Sequence, residues 1–166
     1  MTRIANRFPL AAVALAAFSL GAAASAQTGD DVLKELKPAD LAGGYEIVEG
    51  EKFGVPDPAD RIQGSTVRFT EDRVVVMDKD SKEVYGATYS LEKSEAAAGE
   101  ASSGGTASKI KLVSKLADAE EQIAFGLIDK VGDKVRLIYA LPGAEVPKEF
   151  KTRDKQLMFV MKKKAE

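Results

Sequence analysis

The chain has 166 residues, 45% of them apolar and 30% charged, with 24 basic against 26 acidic side chains, which is the profile of one ordinary globular domain. It contains no cysteine, histidine or tryptophan. Disulfides, thiolate and imidazole metal sites, and every Ser-His-Asp or Cys-His nucleophile arrangement are excluded by that inventory.

Residues 1–26 have the three parts of a secretory signal. Arg3 and Arg7 make a basic start, Leu10 to Leu20 an apolar run, and Ala24-Ser25-Ala26 a small-residue end, so cleavage is expected before Gln27. The run is shorter than the roughly 20 residues that cross a hydrocarbon core, and the reading is export to the periplasm or beyond rather than anchoring. No later stretch is long and apolar enough to span a membrane. The remainder is mildly acidic with scattered lysines, which is no electrostatic footprint for a phosphate backbone, and nucleic acid is not an expected partner.

Within the N-terminal segment 27–40, Val32, Leu33 and Leu36 stand at helical spacing, which predicts a short helical turn over Asp30 to Lys37 that Pro38 stops. From Leu41 to Lys164 the dominant period is two. Gly44 to Glu49 opens the series, and Ser65 to Phe69 alternates Val67 and Phe69 with polar neighbours. The turn Thr70 to Arg73 leads into Val74 to Asp78. A polar turn at Asp78 to Lys82 precedes Val84 to Leu91, with Tyr85, Ala87, Tyr89 and Leu91 on one face. Ser94 to Ala107 contains only Ala, Ser, Gly, Thr and Glu, a composition that offers nothing apolar to bury and predicts a flexible loop inside the domain. The strand pattern resumes at Ile110 and Leu112, then at Ile123, Phe125 and Leu127, at Val135, Leu137 and Tyr139, and at Leu157, Phe159 and Met161. Val131-Gly132-Asp133-Lys134 is a hairpin turn.

Eight strands joined by turns, with no crossover helix between them, predict an all-β, antiparallel up-and-down barrel. A two-sheet sandwich stays open as the alternative. Eight is the number at which a barrel interior is just filled by side chains or holds one small ligand.

Chemical motifs are weak. Ser90-Leu91-Glu92-Lys93 and Ser108-Lys109-Ile110-Lys111 match Ser-x-x-Lys, but on strands an odd spacing points the two side chains to opposite faces. Gly99 to Thr106 has phosphate-loop spacing without the lysine or the following helix. Asp78-Lys79-Asp80-Ser81 opens like a calcium loop, yet Glu83 and Tyr89 stand where Gly and a bidentate Glu are needed. Asp118, Glu120 and Glu121 read equally as a weak cation site or a charged turn. No catalytic residue, metal ligand or cofactor is assigned, and the expectation is a protein that is not an enzyme.

Tyr45, Phe69, Tyr85, Tyr89, Phe125, Tyr139 and Phe159 share the phase of the apolar residues in their strands. They either fill the core or line a cavity in which phenol hydroxyls orient an apolar guest.

Leu41-Ala42-Gly43-Gly44-Tyr45 resembles the Leu-x-Gly-x-aromatic opening of lipocalin-like domains. A closer similarity, over nearly the whole chain beyond the leader, is to the family of small lipocalin-like domains of planctomycete genomes. It rests on Gly43-Gly44-Tyr45, Val55-Pro56, Val67 to Arg73, Tyr85 to Leu91, Leu141-Pro142-Gly143 and Pro147-Lys148-Glu149-Phe150. Tyr45 departs from the family's usual Trp, and the loop from Ser94 is longer than expected. The resemblance implies a barrel closed at one end by Gly43 and Tyr45, with Lys162 packed over the ring. It carries no established activity, so function follows by analogy alone: a monomer binding a small apolar or amphipathic ligand in the barrel, or a non-enzymatic protein-binding or inhibitory module of the cell envelope.

Export makes the first testable statement. N-terminal sequencing of the protein recovered from the cell envelope or medium is expected to begin at Gln27, and an intact Met1 form as the main product contradicts it.

Overall fold

β-branched and aromatic residues alternate with polar ones along most of the chain, and strands dominate accordingly. The computed structural model describes residues 35–93, 106–114 and 120–165. The leader at 1–26, the start of the helical turn at Asp30, Asp118 and the loop residues 94–105 lie outside the described residues.

Nine strands are present among the described residues: β1 (Gly43–Lys52), β2 (Val55–Pro56), β3 (Thr66–Phe69), β4 (Arg73–Met77), β5 (Glu83–Lys93), β6 (Thr106–Ser114), β7 (Gln122–Val131), β8 (Lys134–Ala140) and β9 (Gln156–Lys163). Apart from β2, each pairs antiparallel with the next, and β9 returns to β1 in a ladder from Tyr45↔Lys163 to Lys52↔Leu157. Eight strands therefore close into a barrel, which removes the exposed edges a sandwich would keep. The two-residue β2 is appended to the far end of β1. A bulge between Ile47 and Glu49 bends β1, so that its first half pairs with β3 and its last residues with β2 while β9 runs along nearly its whole length.

The turns follow from their residues. Asp78 Oδ1 accepts the backbone N–H groups of Asp80 and Lys82 at 2.9 and 3.0 Å. The carboxylate that opens the calcium-like motif is thus engaged in shaping a β4–β5 turn. Gly132, at φ 60°, makes the two-residue turn between Val131 and Lys134.

Three expectations are corrected. Glu35 to Lys37 are not helical, and Pro38 begins rather than ends the short helix α1 (Pro38–Leu41). A ring with φ already fixed and no N–H to satisfy suits the first helical position. Thr106 and Ala107 belong to β6, paired with Lys130 and Asp129, rather than to the loop. In β7 the phase is reversed: Ala124 and Ile128 join the interior, whereas Ile123 and Phe125 are 39% and 47% exposed on the outside.

The reversal has a physical source on the outer surface. Leu127, Ile138 and Ala140 are buried although they do not belong to the barrel's interior cluster. The connection from Leu141 to Lys155 lies against this face. It is tied there by Phe150, whose ring lies 4.3 Å from the Arg136 guanidinium, and by Gln156, which donates to the Glu145 carbonyl at 2.8 Å. Arg136 in turn holds both carboxylate oxygens of the buried Asp129 at 3.1 Å. Thr152 accepts from the Gly54 N–H at 2.8 Å and bonds the Glu51 carboxylate, fastening the connection to the β1–β2 hairpin.

Gly126 is required where β7 first meets β8. An added Cβ would lie 2.0 Å from the Ile138 carbonyl oxygen and 2.8 Å from Tyr139 Cα. Gly126→Ala is expected to lower unfolding free energy by about 2 kcal/mol or more through overpacking, measured by urea titration. Gly44→Ala, whose Cβ meets nothing within 4 Å, is expected to stay within about 0.5 kcal/mol of the parent.

Candidate functional site

The barrel's two ends are built differently. At the end where β1 begins, Tyr45 is fully buried and donates its hydroxyl to the Leu41 carbonyl at 2.8 Å. Its ring meets Phe69 edge-on at 5.8 Å, and Phe69 meets Tyr89 edge-on at 5.7 Å. These T-shaped contacts are the favoured geometry of aromatic pairs. Tyr89 donates to the Thr70 carbonyl at 2.7 Å. Leu36 and Leu41 are buried above this stack, Ser108 donates to the Leu36 carbonyl at 3.5 Å, and the Lys130 ammonium caps the Asp40 carbonyl. The end is sealed.

Gly43 and Tyr45 hold the places expected of them at the sealed end. Gly43 has φ 132°, and a Cβ there would crowd Lys163 Cε at 3.3 Å. Lys162 does not cover the ring and is corrected: its side chain is 57% exposed on the outer face, with Nζ 3.7 Å from Asp133. Lys163 is the residue that pairs with Tyr45. A one-residue offset moves a strand side chain to the opposite face.

Towards the other end the interior is incompletely filled. A cavity of about 240 Å³ is walled by Ile47, Val67, Val74, Val76, Leu112, Leu137 and Met161, with Tyr85, Tyr139 and Phe159 as its aromatic surfaces and Val84, 56% exposed, among the residues that bound it. β7 contributes no side chain to this wall. Register accounts for part of this: Ala124, which faces Leu112 across the ladder, offers the interior only a methyl group. At Gly126, opposite Tyr139, the β8 backbone already occupies the place a side chain would take.

Of the seven aromatic candidates, the structure brings Tyr85, Tyr139 and Phe159 to the cavity and commits Tyr45, Phe69 and Tyr89 to the seal. Phe125 is corrected: it points outward beside Val146, opposite Lys111. The aliphatic walls from Ile47, Val76, Leu112 and Leu137 were not singled out from sequence, since apolar residues in a barrel strand look the same whether they touch one another or a void. A second hollow, between β1 and the short helix α2 (Ala59–Ile62), carries Glu49, Glu51 and Asp57. Two of these carboxylates are already engaged, Glu51 by Thr152 and Asp57 by Arg61. Among the described residues no three His, Cys, Asp or Glu side chains gather as a metal ion needs, and no helix is long and apolar enough to cross a membrane.

Burial raises every phenol in the chain. Tyr45, Tyr85 and Tyr139 are raised above the ordinary value, Tyr85 against an opposing effect of its Ser114 partner, and Tyr89 is pushed up to about 12 by desolvation and then by the nearby Asp72. All four therefore stay neutral hydrogen-bond donors at ordinary pH.

No protein-family model matches this chain, and neither a curated protein nor a solved structure matches it.

The raised phenols predict an alkaline limit for the fold. The unfolded chain releases these protons near pH 10 and the folded one above it, so the stabilisation is complete below about pH 10 and declines by up to about 1.4 kcal/mol per pH unit for each tyrosine as pH rises towards the folded values. Absorbance of phenolate and loss of circular dichroism are expected to rise together above about pH 11. Phenolate formation near pH 10 with the dichroism intact contradicts the desolvation of these phenols.

Proposed function

We propose that the protein binds one small, predominantly apolar molecule inside its barrel. The observation that carries this reading is the cavity of about 240 Å³ within a shell of aliphatic and aromatic side chains. An apolar cavity of about 150 Å³ already accepts a benzene-sized guest and stays dry without one. The volume here suits a single substituted ring or a short branched chain. It is below the roughly 300 Å³ at which sites for larger ligands begin, so haem, long fatty acids and isoprenoids are disfavoured as whole guests.

The proposal extends to the setting. The leader-like residues 1–26 support an exported protein, and the Gly43-x-Tyr45 seal supports membership of the lipocalin-like kind whose members carry ligands. The proposed kind of protein is a non-enzymatic carrier, whose cavity wall among the described residues is aliphatic and aromatic. A second reading, contact with an envelope protein, draws on the outer face, where Ile123, Phe125 and Val146 are exposed beside Lys109 and Lys111.

Toluene tests the first reading. A guest that binds the folded state alone stabilises it by about 2.7 kcal/mol at a hundredfold excess over its Kd, so a saturable rise in Tm is expected. Val76→Phe, which places a ring in the cavity, is expected to keep the fold and abolish the rise. A parent protein that shows no rise contradicts the binding reading.

A further inference from the structure

The four tyrosines differ in what their hydroxyls touch. Tyr45 and Tyr89 donate to the main-chain carbonyls of Leu41 and Thr70. Tyr85 has the Ser114 side chain as its partner. Tyr139 is in the cavity wall, its ring 6.4 Å from that of Phe159 and tilted 31° to it, and among the described residues its hydroxyl has no hydrogen-bond partner. That hydroxyl is not sealed in the protein interior, because no fully buried side-chain polar atom lacks a partner among the described residues. It is therefore accessible where it stands, in a wall whose other residues are almost all hydrocarbon.

Among the described residues the wall carries no Lys, Arg, Asp or Glu. A carboxylate or ammonium guest would leave water and find no countercharge, the costliest form of burial. A wholly apolar guest would cover the Tyr139 hydroxyl and leave a buried donor unpaired. From these two constraints, and resting on the cavity reading above, we infer that the guest is a neutral molecule of about one ring in size with a single hydrogen-bond acceptor, a carbonyl or ether oxygen, which receives the Tyr139 hydroxyl. Burial holds that phenol in its neutral, donating form. The Tyr85 hydroxyl lies close enough to interact with Tyr139 and is engaged with Ser114, so Tyr139 supplies the selective contact.

Three probes of equal heavy-atom count separate the possibilities: acetophenone with a carbonyl oxygen, α-methylstyrene with a methylene in its place, and benzoate with a charge. Binding is read from shifts of the Val76, Leu112 and Leu137 methyl resonances. Acetophenone is expected to bind about five- to tenfold more tightly than α-methylstyrene, the range of one neutral hydrogen bond, and benzoate is expected not to bind. Tyr139→Phe keeps the ring and removes the donor; it is expected to bring acetophenone down to the α-methylstyrene level while leaving α-methylstyrene no weaker. Equal affinity of the two neutral probes for the parent protein, or a preference for benzoate, overturns the acceptor assignment while the cavity reading survives. Failure of all three to shift the methyl resonances overturns the cavity reading itself. The comparison among probes is made on the parent protein, so it decides the matter even if the variant does not fold.

Discussion

The pairing of the first barrel strand with the last is the constraint on which the rest of the structure depends. In a chain without a disulfide, the ladder from Tyr45↔Lys163 to Lys52↔Leu157 converts an open eight-stranded meander into a closed wall. Closure leaves no unpaired edge and forces each strand to present one face inward. The bulge at Val48 belongs to this constraint. It lets β1 serve β3 at one end and β2 at the other without losing its ladder to β9.

Once the wall is closed, polar satisfaction sorts the interior into two halves. At the sealed end the phenols of Tyr45 and Tyr89 reach main-chain carbonyls, and the leucines before β1 cover them. Among the described residues no fully buried side-chain polar atom lacks a partner, which makes the end a structural plug. At the other end, β7 adds no side chain to the wall and the interior is left incompletely filled. The neighbouring Tyr139 has a hydroxyl without an acceptor among the described residues. The same residue type thus supports opposite roles, and the acceptor it meets decides which. The Asp129–Arg136 pair and the Phe150 ring work outside the wall, where they hold the long β8–β9 connection against a second layer of buried aliphatic side chains.

Much of this was legible before the structure, and the reasons are local. β5 alternates Tyr85, Ala87, Tyr89 and Leu91 with Gly86, Thr88, Ser90 and Glu92, so its inner face could be read directly. The Gly132 turn and the burial of Tyr45 were equally plain. β7 was not, because Ile123, Phe125 and Leu127 compete with Ala124, Gly126 and Ile128 for the interior, and alternation cannot choose between two apolar rows. The larger row was expected inward. Tertiary structure inverted it, since the β8–β9 connection covers Leu127 from outside and the β8 backbone tolerates only glycine at position 126. The Lys162 assignment failed by the same single-residue margin. A proline can stop a helix or start one, and Leu36 and Leu41 on either side of Pro38 are both buried, so apolar pattern alone does not choose between the two. The cavity was beyond reach for a different reason: a void is a deficit of volume summed over several strands, and it becomes visible only when their register is known.

The β1–β9 ladder also imposes an order on folding. Its partners are separated by more than a hundred positions, so the loop that must close is nearly the length of the domain, and topologies dominated by such distant pairings fold slowly. The neighbouring hairpins can assemble earlier from local contacts. Until Gln156–Lys163 arrives, however, β1 and β8 are both open edges with unsatisfied amides and carbonyls, and the hydrophobic interior faces solvent between them. The state most exposed to aggregation is therefore the nearly complete chain, seven strands formed and the eighth still unpaired.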